Sequence, residues 1–372
     1  MTTQKATMQP HQFDVLLVYS DSFAESAASI DPLVTVPFGP RSKSQNYNEV
    51  YGYFLSVAKL CGLSIAFTSS ADVTGAGSCG SYWSFVLGQW KKILQPAFAN
   101  QIFDKLSPTS SKLRQQRALL FSEPDIAPFN NPKVHALFLD KLKTYKSFPT
   151  LAIPTVLVKS NTPSGIELAV AELHELVEQH PHSADFTSEL IMKDRLGAGG
   201  KSIYKFAPDQ LPEMATTLQT ESQKSFVLQP FLKFDQGYQD EGEYVLADIR
   251  LIYLGGSITQ AYVRIAQGDA FLCNEHQGGL LKFLEIDEIP AAVLAGATAI
   301  LQSMDQSSSL FALDFVLSNA GNAYFLEGNT GPGLDWNPKL AGNIVKSKEF
   351  IWTIVAELCR MVGRPTLAPI VV

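Results

Sequence analysis

Cysteine is scarce in this sequence. Cys61, Cys79, Cys273 and Cys359 are its four cysteines, spread over 372 residues without a CxxC pair, and that excludes a disulfide framework and a structural zinc site. They read as reduced, packing residues. No block of lysine or arginine occurs and the net charge is −7, so no long-range field draws nucleic acid or an anionic membrane. No apolar run approaches the length that spans a bilayer, and the N-terminal MTTQKATMQPHQ is polar where a signal peptide needs an apolar stretch. A cytoplasmic protein is expected, with no nucleic-acid and no membrane partner. There is also no nucleophile elbow and no Cys/His or Ser/His motif, so chemistry through a covalent side-chain intermediate has no visible carrier.

What is present is apolar residue in quantity, 46% of the chain, enough for several cores. FDVLLVYS (13–20) reads as a buried strand. Asn46 and Glu49 resemble a capping box ahead of Val50, Tyr53, Phe54, Val57 and Cys61 at helical spacing, with Gly62 as the stop and LSIAFTSS as the next strand. The chain thus opens as a strand-helix-strand unit of a parallel sheet. TGAGSCGSYW lacks the strand-to-helix context of a dinucleotide fingerprint and reads as a loop. A helical pattern in NNPKVHALFLDKLKTY and the prolines 149, 154 and 163 mark a boundary between about Phe129 and Thr150. Ser164 and Glu167 suggest a second capping box; strands then dominate, with a Gly255-Gly256 hairpin, a helix near 290–304 and a last helix from about Ser347 to Met361. The expected domains are 1–129, 130–230 and 231–372.

KDRLGAGGKS (193–202) ends like a phosphate-binding P-loop, but Arg195 stands where that loop needs its first glycine. The IYKF that follows is strand-like, so no helix N-terminus awaits a phosphate. A glycine turn between two strands is left, with Lys193 at its start and Gly199 and Gly200 in its span.

Two further groups need the same explanation. One is DIR (248–250), then Arg264 and NEHQGG (274–279). The other is Asp314 on one strand of a hairpin and Glu327 with Asn329 at the end of the other. Positions 327 and 329 share a face because side chains on a strand alternate, and Asp314 on the neighbouring strand completes the set. A few hard oxygen donors suit magnesium, which keeps waters and takes further ligands from phosphates. Two carboxylates on adjacent strands also oppose each other's burial unless a cation sits between them. Counting out from Gly255-Gly256 as a two-residue turn puts Arg264 opposite Ala247, on the other face from Asp248 and Arg250. A bulge or a longer turn must intervene if both arginines serve one site.

The three groups, in this order over roughly Asn130 to Pro338, resemble the ATP-grasp superfamily, above all its carboxylate-amine ligases such as glutathione synthetases and ribosomal-protein glutamate ligases. The resemblance implies an α/β (α+β) ATP-grasp fold: an N-terminal α/β domain presenting substrate, a small central lid and a C-terminal metal-binding domain. It implies phosphate contacts from Lys141, in the DK pair, and Lys193, under a lid formed by the glycine turn. QPFLKF looks like the adenine hinge, with Gln229, Pro230, Phe231 and Leu232 beside the base, although such enzymes often carry a glutamate where Pro230 stands. Asp248 falls in the nucleotide region, Arg250 and Arg264 near the transferred phosphate as catalytic residues, Asp314, Glu327 and Asn329 at magnesium or manganese, and Asn274 and His276 near substrate. The ribosomal-protein ligases have an arginine just before the Asn of their NxHxGG stretch; Cys273 is there in this chain, which argues against glutamate as substrate.

The implied reaction is ATP-dependent joining of a small-molecule or peptide carboxylate to an amine through an acylphosphate. Two alternatives have the same fold: a nucleotide-binding regulatory or interaction protein without ligase activity, and a kinase that stops at phosphorylation. The sequence does not give the oligomeric state; a homodimer and a homotetramer are both compatible with it.

Overall fold

The computed structural model describes residues 9–366 except 41, 43, 107, 109, 198, 269–272, 274–278, 305–308 and 335–340. The chain forms two compact units, residues 1–131 with 308–310 and 331–372, and residues 132–307 with 311–330.

The first unit contains β1 (His11–Gln12), β2 (Val15–Tyr19), α1 (Tyr47–Leu60), β3 (Ile65–Ser69), β4 (Val73–Gly75), β5 (Ser78–Cys79) and β6 (Tyr82–Val86). It continues with β7 (Gln89–Ile93), β8 (Ala97–Phe98), β9 (Gln101–Lys105), α2 (Ser111–Leu120) and β10 (Ala127–Pro128). Its six-stranded sheet runs β10-β9-β2-β3-β6-β7. β2 pairs in parallel with β3 and β9, and all five of its residues are buried, as an uninterrupted apolar run requires. α1 buries Val50, Phe54 and Val57 and ends at Gly62, whose φ of 70° suits a residue without Cβ. Asn46 is its N-cap, but its side chain makes no capping bond.

The glycine-rich segment expected as a loop is instead β4, β5 and the start of β6. Gly77 makes this fit. It sits at φ 57°, and a Cβ there would lie 2.4 Å from the carbonyl oxygen of Ala99, so the backbones close up only because the side chain is missing.

The second unit starts with α3 (Pro132–Phe138), α4 (Lys141–Ser147), β11 (Val156–Leu157), α5 (Pro163–Glu178), β12 (Phe186–Asp194), β13 (Ile203–Phe206), α6 (Leu211–Thr220) and β14 (Phe226–Leu232). After β15 (Tyr238–Asp240) and β16 (Glu243–Val245) come β17 (Ala247–Leu254), β18 (Ser257–Ile265), β19 (Leu280–Phe283), α7 (Ala291–Gln302), β20 (Leu310–Leu317) and β21 (Ala323–Asn329). α8 (Ala341–Met361) belongs to the first unit, where Trp352 Nε1 donates to Tyr53 Oη at 3.1 Å. It begins six residues before the expected Ser347.

Two sheets make up the second unit. The smaller, β11-β14-β12-β13, packs Leu190, Met192 and Leu228 against Ile166 and Leu173 of α5 and Met214 of α6. α5 is capped by Thr162, whose Oγ1 accepts from Gly165 N, rather than by Ser164. Pro163 takes the first helical position, where a missing N–H costs nothing. The larger sheet, β19-β18-β17-β20-β21, buries Leu251, Val263, Leu313 and Phe315 under Val293 and Ala297 of α7. A smaller cluster of Ile153, Phe186, Leu232, Val316 and Tyr324 joins the two sheets. Beside it Asp185 accepts from Asn322 Nδ2 at 2.9 Å and from Tyr324 Oη at 2.8 Å. Among the described residues, no helix is long and apolar enough to cross a membrane.

Candidate active site

Between these two sheets the second unit opens a cleft of about 930 Å³, counting its mouth. One wall is apolar, formed by Ile153, Ile191, Ile203, Leu232, Val316 and Leu326. The lining also carries the charged groups Lys141, Lys193, Lys201, Asp248, Arg264, Asp314 and Glu327. A ligand with an apolar and an anionic part matches such a lining.

The glycine turn is the β12–β13 connection. Lys193 pairs with Ile203, and Asp194 N–H donates to Ser202 O at 3.1 Å. Gly199 and Gly200 take φ of 70° and 71°, and no atom lies within 4 Å of where a Cβ of Gly199 would be, so the turn projects into open space. Lys193, at its base, is half-buried. Burial, with the neighbouring charge of Lys141, pushes its ammonium down to about 8 against the opposing pull of Glu327. Lys141 begins α4, which Asp140 caps by accepting from the backbone of Leu142 and Lys143. Its ammonium donates to Gly197 O and lies 3.8 Å from Glu327 Oε2.

β14 carries the hinge residues. Gln229 Nε2 donates to Thr155 Oγ1 at 2.8 Å, and Gln229, Pro230, Phe231 and Leu232 all contribute to the cleft lining. Lys205 holds its ammonium 3.8 Å above the Phe231 ring. The β12 register slips between Phe186 and Leu190, opposite this stretch.

The β17–β18 hairpin supplies the irregularity that the arginines require. Gly255 and Gly256, with φ of 57° and 84°, make the two-residue turn, and Leu254 pairs with Ser257 and Tyr253 with Ile258. The next pair is Ile252 with Gln260, so Thr259 is an extra residue. Beyond this bulge Arg264 stands opposite Asp248 rather than Ala247. Its Nε donates to Asp248 Oδ1 at 2.6 Å and its Nη2 to Asp314 Oδ2 at 2.9 Å. Arg250 grips Asp314 through both carboxylate oxygens, at 2.6 and 2.5 Å.

All four of these side chains are buried. Burial alone would raise Asp314, but Arg250 and Arg264 outweigh it and hold the carboxyl below its usual range. For Asp248 burial wins over Arg264, and the charge of Asp314 adds to it, so that carboxyl is raised. The burial of Asp314 is therefore balanced by two guanidiniums, and its cost does not by itself call for a metal. Glu327 stands directly opposite Asp314, half-buried, and Asn329 stands opposite Ala312. A second bulge, at Leu326, sets this register. Among the described residues no group of three or more His, Cys, Asp or Glu side chains is gathered as a metal cage. The oxygen donors in the cleft lining are the carboxylates of Asp314 and Glu327, while Asn329 lies outside that lining; hard oxygens of this kind fit a cation completed by phosphate oxygens.

Of the residues singled out in the sequence, the cleft brings together Lys141, Lys193, Gly200, the Gln229–Leu232 stretch, Asp248, Arg264, Asp314 and Glu327. Arg250 stands behind Asp314. Asn274 and His276 lie outside the described residues. Sequence reasoning missed the apolar lining, whose residues come from six separate segments, and the place of Cys273 in it. Burial pushes that thiol up to about 12.

The cleft, the glycine turn and the facing carboxylates sit in an α+β fold. A family model described as RimK-like ATP-grasp domain matches residues 155–350, and the chain belongs to that family. No protein of curated function matches it by sequence. Among solved structures it is similar to the D-alanyl-alanine synthetase A of Vibrio cholerae, with a TM-score of 0.57 and 14% identity over 96% of this chain and 100% of that one. The D-cycloserine synthetase DcsG gives 0.53 and 15% over 91% and 99%. A RiPP-associated ATP-grasp ligase of Chryseobacterium gregarium, solved with ADP and a leader and core peptide, gives 0.53 and 13% over 96% and 100%. At such identities these likenesses speak for the fold.

Proposed function

We propose that the protein is an ATP-dependent carboxylate-amine ligase, forming an amide or peptide bond and releasing ADP and phosphate. The observation that carries this reading is the meeting of Lys141 and Lys193 with the facing carboxylates Asp314 and Glu327 in the lining of one cleft that apolar side chains also line.

In this reading adenine lies along Leu232, Val316 and Leu326, with the backbone of β14 at its edge. Lys141 and Lys193 hold the phosphates, and the glycine turn covers them and excludes water. A carboxylate is a poor electrophile. Its oxygen attacks the γ-phosphorus in line, the bond to the bridging oxygen breaks and ADP leaves. The amine nitrogen then attacks the acyl carbon of the acylphosphate, and phosphate departs. Arg264, with Arg250 behind it, spreads the negative charge that develops on the transferred group. Asp314, Glu327 and Asn329 are the residues that would hold magnesium or manganese. When bound, that ion supplies charge neutralisation between phosphates and carboxylates.

The test is ADP release across amino acids and short peptides, added singly and in pairs, with mass spectrometry of the products. Peptides are included because one of the similar structures contains them. The reading predicts ADP release that needs both an acid and an amine, and a product lighter by one water than the two together. ADP release with the acid alone and a stable phosphorylated product would make it a kinase. No release with any pair would leave a nucleotide-binding module.

A further inference from the structure

We propose that Arg195 and Asp140 form a latch that sets the pose of the glycine turn, and that Arg195 is a positioning residue acting through Lys141. Arg195 Nε donates to Asp140 Oδ1 at 2.7 Å and Nη2 to Oδ2 at 2.5 Å, the two-pronged geometry that fixes both partners in direction as well as distance. Backbone bonds strengthen the junction: Lys141 N–H donates to Arg195 O at 3.1 Å, and Arg195 N–H to Ser225 O at 2.7 Å. Asp140 is also the N-cap of α4. One carboxylate thus ties the stem of the turn to the helix that starts with Lys141.

The other end of the turn is anchored separately. Ser202, at φ 53°, is held by Lys224 Nζ at 2.6 Å, and Glu221 ties Lys224 to Tyr204. Between the two anchors Gly199 and Gly200 adopt left-handed backbone, and Lys141 takes hold of Gly197 O. Lys141 therefore spends its charge on a neutral carbonyl and on Glu327. A phosphate oxygen, bearing formal charge, is the stronger acceptor. A nucleotide that takes Lys141 frees Gly197 O, while the latch keeps the stem where the turn can close again. The pair is not part of a core: the Arg195 side chain is 32% exposed and that of Asp140 16%. Such pairs add little to global stability, so losing this one moves the turn rather than the fold.

The nucleotide half of this inference rests on the function proposed above; the half concerning the ligand-free turn does not. Hydrogen exchange at the amides of Leu196, Gly197, Gly199 and Gly200 is measured in the nucleotide-free protein, and dissociation of a fluorescent ADP analogue with magnesium by stopped flow. Arg195→Ala and Asp140→Asn, the latter keeping the helix cap, should each speed exchange and raise the dissociation rate about three- to tenfold. The double variant should do no more than either single one, and Arg195→Lys should recover part of the loss. Unchanged exchange in both single variants, or effects that add in the double variant, would overturn the latch. If exchange responds while the unmutated protein binds no analogue, the latch stands and the nucleotide reading falls.

Discussion

Asp248 on β17 faces Arg264 on β18, 2.6 Å apart, because one extra residue, Thr259, bulges out of the hairpin between them. Arg264 also reaches Asp314, and Arg250 holds the same aspartate. Two guanidiniums and two carboxylates, all largely buried, thus balance one another at the floor of the cleft. Removing one member leaves the others uncompensated.

Arg264→Ala should accordingly destabilise the protein by about 3–5 kcal/mol, since Asp248 loses the cation that offsets its burial. Arg264→Lys should recover only part, because an ammonium cannot present a planar fork to two carboxylates. Urea unfolding of the three proteins checks both; a loss within about 0.5 kcal/mol for the alanine variant would contradict the network.

Lys193→Ala should weaken nucleotide binding by about ten- to a hundredfold, the worth of a charge-assisted contact of roughly 1.5–3 kcal/mol. Its lowered pKa adds a sign. Below about 8 Lys193 is protonated in the free protein and ready for phosphate; above that it is neutral and must first take up a proton. Affinity for ADP should therefore fall as pH rises from 7.5 to 9.5, and the alanine variant should lack that component. Calorimetry across this range measures it, and equal slopes for both proteins would remove Lys193 from the phosphate site.

Glu327→Gln keeps the shape of the side chain and one oxygen but loses the charge. Turnover should be lost while nucleotide binding is partly kept. A normal rate in that variant would place the cation elsewhere.

Gly237→Ala tests the packing that supports the hinge. A Cβ there would lie 1.9 Å from the carbonyl oxygen of Leu317 at the end of β20, so backbone must move. A loss of about 1–3 kcal/mol is expected, read as a lower urea midpoint with an unchanged slope. An unchanged midpoint would show that this end of β20 yields freely.

How much of this was legible in the sequence depended on the range of the interaction. The glycine turn could be read because its signal is local, two strand-like runs around glycines and lysines. The bulge could be required by counting, since Arg264 would otherwise face the wrong side, and Thr259 supplies it. The bidentate grip of Arg250 on Asp314 could not be read, because it joins residues 64 apart in sequence through sheet packing. Nor could the capping bonds. Asn46-Glu49 and Ser164-Glu167 have capping-box spacing, yet the first makes no side-chain capping bond and the second lies inside a helix that Thr162 already caps. In TGAGSCGSYW the glycines suggested a loop, whereas they let short strands approach closely.

The most direct measurement is a crystal structure with ADP and manganese, the metal located by its anomalous signal. Adenine should lie against Leu232, Val316 and Leu326, the phosphates within hydrogen-bond reach of Lys141 and Lys193, and the ion about 2.0–2.2 Å from oxygens of Asp314 and Glu327. A nucleotide bound outside this cleft, or an ion that leaves Asp314 and Glu327 untouched, would contradict the account.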